Sequence, residues 1–255
     1  MTAVQAPGRF DGRAALVTGA TSGIGLAIAH RLHAEGARVL ATGRDHDRGR
    51  ELVESLGERT VFVAADLTDP GTADRLAGAC LESFGALDVL VNNAGLDHTG
   101  DFATSSMDSV RQVFEINTFS TVAMMQSAAR IMRTGGAMVN VTSRLATVGV
   151  PTMGIYAASK GAIHALTRSV AIELAPRGIR VNDVAPGMTR TPLYDEWLAR
   201  IPGGESTEAE VLADIPLRRL ATPQDVAAAV AYLASDDAEY VTGTTIAVDG
   251  GYTAR

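Results

Sequence analysis

A chain of 255 residues with 46% hydrophobic content is long enough for one large α/β core and does not need dividing into two. Its 26 glycines and 5% aromatic content suit close-packed helices and strands better than an aromatic-rich β-sandwich. The net charge of -7 argues against a phosphate-tracking nucleic-acid protein, no apolar run approaches the roughly 20 residues of a bilayer span, and the N-terminal MTAVQAPGRFDGR lacks the apolar stretch of a secretion signal.

The first predicted strand, 14–18 (AALVT), runs into Thr18-Gly19-Ala20-Thr21-Ser22-Gly23-Ile24-Gly25 and then an apolar helix. Glycines there allow a tight turn, close backbone approach to a pyrophosphate and tight helix–strand packing, with the helix N-terminus facing the negative charge. The spacing is not GxGxxG, so the signal comes from its placement between strand and helix. The second strand, 38–42 (RVLAT), ends in Thr42-Gly43-Arg44-Asp45. An acid at such a strand end grips a ribose 2′-hydroxyl, and a base accommodates a 2′-phosphate. Gly43 stands where the acid is expected and Arg44 follows, which favours NADP(H), with Arg48 as a helper. Asp45, read as the N-cap of the next helix, leaves NAD(H) open.

The third strand, 60–64 (TVFVA), is followed by Asp66. Its carboxylate either reaches an adenine amino group or is a loop acid before the helix predicted to open at Asp69-Pro70, as N-cap and N1 proline. Cys80, the one cysteine, makes no internal disulfide and reads as buried filler. The fourth strand, 87–91 (LDVLV), leads into Asn92-Asn93-Ala94-Gly95, small residues and amides that close backbone gaps and approach a cofactor. After the fifth, 137–142 (AMVNVT), Ser143 sits at a strand end, where a parallel sheet presents its ligand crevice. Tyr156 and Lys160 are four apart on a helix begun near Gly154, hence on one face, and Pro176 and Gly178 stop that helix.

Beyond the sixth strand, 179–184 (IRVNDV), the irregular segment 188–216 holds Pro192, Trp197 and Pro202-Gly203-Gly204, and reads as a mobile substrate lid or a plain surface excursion. Thr222-Pro223-Gln224-Asp225 signals a capped helix before the last strand, 244–248 (TTIAV). Such strand–helix alternation predicts an α/β fold: a Rossmann-like, doubly wound parallel sheet of about seven strands with helices on both faces, in a single domain spanning 1–255.

The chemistry follows from residue types. Reducing a carbonyl needs a proton donor beside its oxygen, a hydrogen bond to polarise it and a hydride poised over its carbon. A tyrosine hydroxyl near pKa 10 is a poor base at neutral pH, and lowering it by about 3 units takes about 4 kcal/mol. An ammonium at about 4 Å supplies roughly that at an effective dielectric near 20. The chain has 22 lysines and arginines together, and Lys160 is the only lysine among them. Lysine is retained where a compact point charge serves and a planar fork does not.

With these residues in place, the sequence strongly resembles the short-chain dehydrogenase/reductase family in its compact form, over nearly the whole chain. The carriers are Thr18–Gly25, Asn92–Gly95, Asn117, Ser143, Tyr156-Ala157-Ala158-Ser159-Lys160, Pro186-Gly187 and Val248-Asp249-Gly250-Gly251. The resemblance implies that Tyr156 is the general acid/base, Ser143 holds the substrate oxygen, and Lys160 binds the nicotinamide ribose while lowering the tyrosine's pKa. It implies that Asn117 holds a relay water. Gly19, Thr21, Ser22, Gly23, Ile24, Gly25, Arg44, Asp66, Leu67, Asn93, Ala94, Gly95, Pro186, Gly187, Thr189 and Thr191, with Tyr156 and Lys160, are then the cofactor residues. Ser22 stands where many NADP users carry a basic residue.

Leu96, His98, Leu145, Val150, Met153, Met188, Leu193 and Trp197 are candidates for a partly apolar substrate pocket. Arg144 is bulkier than the family's usual residue at that position; it either enters the cleft and meets an acidic substrate or, at a strand end, turns away. The expected function is hydride transfer between NADP(H), or NAD(H), and a carbonyl or alcohol, on a small-molecule substrate and without a metal. A cytoplasmic homo-oligomer, dimer or tetramer, is expected, with no nucleic-acid or membrane partner. Two other readings stand beside it. A non-catalytic NAD(P) sensor would need no acid/base set, and a sugar-nucleotide epimerase or dehydratase would need more chain for a substrate domain.

Overall fold

The computed structural model describes residues 8–200 and 204–254. Seven strands form one sheet in the order β3-β2-β1-β4-β5-β6-β7, every neighbouring pair parallel. They are β1 (Ala14–Thr18), β2 (Arg38–Gly43), β3 (Thr60–Ala64), β4 (Val89–Asn92), β5 (Ala137–Val141), β6 (Arg180–Pro186) and β7 (Thr245–Val248). The helices between them are α1 (Gly23–Ala34), α2 (His46–Leu56), α3 (Thr72–Phe84), α4 (Met107–Phe114), α5 (Ser120–Ile131), α6 (Gly154–Leu174), α7 (Pro192–Arg200), α8 (Gly204–Asp214) and α9 (Pro223–Ala234). All seven predicted strands are present within two residues of their expected bounds.

Both faces of the sheet are covered, and the strand period of two divides the core accordingly. Ala15 and Val17 of β1 point to the side of Ile28, Leu32, Val226 and Val230 on α1 and α9. Ala14 and Leu16 point the other way, to Leu76, Met124 and Ala171 on α3, α5 and α6. The strand order reverses between β1 and β4, and a ligand crevice opens at the carboxyl ends of the strands there.

Local signals mostly act as read. Asp45 caps α2 by accepting from the N–H groups of Asp47 and Arg48, and Thr222 with Asp225 forms a reciprocal capping box at α9. The chain leaves α6 through a short turn over Ala175–Arg177 and a left-handed Gly178. Cys80 is buried, with burial pushing its thiol up to about 12. Asp69-Pro70 does not open a helix. Asp66 Oδ1 takes the N–H and hydroxyl of Thr68, which bends the chain early, and α3 starts at Thr72 after a left-handed Gly71.

The segment 188–216 is more regular than expected. It forms α7 and α8, with a small apolar cluster of Tyr194, Ile215 and Leu220 packed by Met188, Trp197 and Val211. Pro202 and Gly203, like residues 1–7 at the N-terminus, lie outside the described residues. Among the described residues, no helix is long and apolar enough to cross a membrane.

Candidate active site

A cleft of about 630 Å³ runs along the carboxyl ends of the central strands. At one end lies the glycine turn. Gly19 and Gly23 both take positive φ (62° and 53°). A Cβ on Gly25 would stand 2.1 Å from the Gly19 carbonyl oxygen, so the third glycine is fixed by packing behind the turn rather than on the cleft wall. Ser22 makes no side-chain cap on α1, whose first turn carries no acid. The helix N-terminus therefore faces the cleft as a positive pole, which fits the pyrophosphate of a dinucleotide. Asn93 holds the turn from β4. Its Nδ2 donates to the carbonyls of Thr18 and Gly19, while the N–H groups of Asn93 and Ala94 donate to Thr18 Oγ1.

A Cβ on Gly43 would lie 2.9 Å from Thr21 Oγ1, which explains why no acid occupies the expected ribose position. Arg44 lines the cleft in its place, opposite Asp66 and Leu67. The Thr68 hydrogen bonds, with a smaller contribution from the Arg44 charge, hold the Asp66 carboxyl below its usual range. Arg48 pairs with Asp45 at 3.3 Å on the surface, away from the cleft wall. Pro186, Gly187, Thr189 and Thr191 form the floor, and the Thr191 side chain packs where a Cβ of Gly23 would meet it at 3.4 Å.

Ser143, Tyr156 and Lys160 meet in the middle of the same cleft. Ser143 Oγ caps the turn over Arg144–Ala146 by accepting from Leu145 N at 3.1 Å. Lys160 is buried from solvent and its Nζ donates to the Val141 carbonyl at 2.9 Å. Burial pulls the ammonium down to about 8, although the Asp183 charge pushes back. Tyr156 departs from expectation. Burial, with the negative charge of Asp97 added, raises the phenol to about 12, and its hydrogen bond with Ser143 offsets only part of that. The lysine is not among the groups that set this balance, in which desolvation dominates.

Two other candidate residues sit beside the cleft rather than on its wall. Asn117 sits in a π-helical turn over Glu115–Phe119, off the cleft wall. Its Oδ1 accepts from Leu96 N at 2.7 Å, and its Nδ2 donates to the Leu96 carbonyl and Ser159 Oγ. With the amide thus occupied, its side chain positions the Gly95-Leu96 loop. His98 also leaves the cleft, with Nε2 at 3.5 Å from Ser109 Oγ.

Leu96, Leu145, Val150, Met153, Met188, Leu193 and Trp197 do form the apolar end of the cleft. Tyr194, Asp97 and Tyr252, none of them singled out in the sequence, join them there. Arg144 enters this end and does not turn away. A second feature missed in the sequence lies behind Lys160. Asn92, Asn140, Asp183 and Thr245 are aligned in register across β4 to β7. Asn92 Nδ2 donates to Asn140 Oδ1, Asn140 Nδ2 to Thr167 Oγ1, and Thr167 Oγ1 to Asp183 Oδ1. His164 lies 3.3 Å from the other Asp183 oxygen. Burial raises the Asp183 carboxyl to about 7. An Asn-Asp pair inside the predicted strand IRVNDV was the available signal.

Known proteins give the same answer as the geometry. A family model described as enoyl-(acyl carrier protein) reductase matches residues 19–253. A cis-4-hydroxycyclohexanecarboxylate dehydrogenase of Sinomonas cyclohexanicum is 42% identical over 96% of this chain and 98% of its own. An NADP-dependent (R)-specific alcohol dehydrogenase of Lentilactobacillus kefiri is 35% identical over 97% of this chain and 99% of its own. A solved short chain dehydrogenase/reductase family protein superposes with a TM-score of 0.85 at 39% identity, covering 96% of this chain and 99% of that one. The chain belongs to the short-chain dehydrogenase/reductase family and is an NAD(P)(H)-dependent oxidoreductase of alcohol and carbonyl groups.

Proposed function

We propose that the chain interconverts ketones and secondary alcohols with NADP(H), using Tyr156 as the proton donor and acceptor. The observation that carries this reading is the meeting of Ser143, Tyr156 and Lys160 on the wall of the cleft that also holds the glycine turn. Bound NADP(H) supplies or accepts the hydride. In the reducing direction, Tyr156 is protonated throughout the neutral range, since its hydroxyl titrates at about 12. It gives that proton to the substrate oxygen, while the Ser143 hydroxyl donates a hydrogen bond to the same oxygen. Lys160 holds a positive charge beneath them, fixed by the Val141 carbonyl. Residues 188–216 serve as the lid, their aromatic cluster closing over the apolar end. A sensor would need none of this acid/base set, and nothing in the site favours that reading.

The preference for NADP(H) is supported by Arg44 on the cleft wall beside a glycine that leaves no room for a ribose acid. One relative is NADP-dependent by name. Replacing Arg44 with Asp is expected to cut kcat/KM for NADPH by about 10–100-fold, the worth of one charge-assisted hydrogen bond, and to favour NADH. Nicotinamide absorbance with both cofactors reads this, and an unchanged NADPH/NADH ratio would remove Arg44 from the phosphate site. A cytoplasmic dimer or tetramer is part of the proposal. The exposed Phe119 and Ile172 supply apolar surface suited to self-association.

A further inference from the structure

The apolar end of the cleft carries a guanidinium that the proton and hydride chemistry does not use. Arg144 follows Ser143 directly in the chain, so its Cα lies about 3.8 Å from that of the residue proposed to hold the substrate oxygen. Its Cζ rests 3.6 Å from the centroid of the Tyr252 ring, a face-on contact supplied by the C-terminal turn. That turn is itself well held: Asp249 accepts from Gly251 N, Thr253 N and Thr253 Oγ1. Arg144 and Tyr252 both line the cleft.

We propose that Arg144 is a specificity-determining residue that binds a carboxylate on the substrate. The preferred substrates are then oxo- and hydroxy-acids whose reacting carbon and carboxylate lie at opposite ends of a compact, largely apolar skeleton. The assignment rests on the ketone/alcohol reading above and narrows its substrate class. A guanidinium stacked on an aromatic face loses little freedom on binding, and its planar fork matches a carboxylate in two hydrogen bonds. The separation is set by the chain. The reacting oxygen is held at Ser143, and the anion an arginine side chain's length away, in a cleft whose wall also carries Leu145, Val150, Met153 and Trp197. A monoanion fits better than a phosphate, because Asp97 and Asp214 also line the cleft and oppose a second negative charge. With a net charge of -7 the chain has no general attraction for anions, so such a substrate needs a local cation.

The test compares 4-oxocyclohexanecarboxylate with its neutral carboxamide, both assayed with NADPH. The wild-type ratio of kcat/KM, acid over amide, is expected at roughly 10–100, the range for a hydrogen bond to a charged group. Arg144→Met should bring the ratio close to one, and Arg144→Lys should keep part of it, having the charge without the fork. Because the ratio is taken within one preparation, partial misfolding of a variant cancels. Calorimetric binding of cyclohexanecarboxylate, which has no reacting oxygen, should weaken at least about tenfold in Arg144→Met. A wild-type ratio near one, or a high ratio that survives Arg144→Met, overturns the assignment. Loss of cyclohexanecarboxylate binding in Arg144→Met, in an enzyme that turns over no ketone at all, would uphold the carboxylate site and overturn the reaction instead.

Discussion

Tyr156→Phe is expected to lower kcat by about 10²–10⁴-fold, the usual worth of a positioned general acid, while NADPH still binds. The substitution removes one oxygen from a half-buried side chain fixed on α6, so the cleft keeps its shape. Fluorescence titration with NADPH separates binding from turnover, and full activity in the variant would reject the acid/base assignment. The same hydroxyl sets a directional pH dependence. Because burial and Asp97 raise it to about 12, it is a ready proton donor and a poor acceptor. Ketone reduction should therefore stay level between roughly pH 6 and 7, below the lysine's own titration, whereas alcohol oxidation should climb there as the phenolate fraction grows. A reduction rate that rises with pH over that range would contradict the proton inventory. The Asp97 charge suggests a refinement of the same experiment: Asp97→Asn removes a negative charge that opposes the phenolate, and should shift the oxidation limb to lower pH.

How far the sequence could lead depended on whether a signal was local. The strands were legible because burial on both faces makes several of them nearly continuously apolar, as in AALVT and TVFVA, and because glycines and caps punctuate their ends. Tyr156 and Lys160 were legible because helical spacing alone places them on one face. The tyrosine's pKa was not. It is a balance between desolvation and charge, and desolvation depends on how much of the folded chain closes over the ring. Arg144 shows the same limit: its direction follows from the turn that Ser143 caps and from the Tyr252 ring, which lies over a hundred residues away in the chain. Asn117 was placed by the family resemblance, and only the fold shows its side chain tied to Leu96 and His98 Nε2 set beside Ser109. The helices α7 and α8 were hidden because they pack on each other and on the cleft rather than on the sheet, which leaves them without a strong apolar stripe. Asp183 was the least readable of all, since only the register of four strands shows that a polar row continues through it.

Lys160→Arg is expected to cost at least about 100-fold in kcat/KM although the formal charge is kept. The ammonium occupies a small, closed site. Its Nζ bonds to the Val141 carbonyl at 2.9 Å, and a Cβ added to Gly95 would come within 3.2 Å of it. A guanidinium brings two further nitrogens into that space and presents a fork to a single carbonyl, so the side chain must turn out or displace the Gly95-Leu96 loop that Asn117 holds. The pH profile separates this from a general folding defect. Burial places the lysine's own titration at about 8, so wild-type activity that needs the cation should fall as pH rises through that value. Arginine stays protonated over the whole accessible range, so residual activity of the variant should lose that high-pH limb even while it is low at every pH. Near-normal kcat/KM would show that any cation serves at this position and would leave the chain's retention of a single lysine without a physical reason. A low rate with the limb still present would assign the titration to another group, with Asp183, raised to about 7 by burial, the next residue to replace.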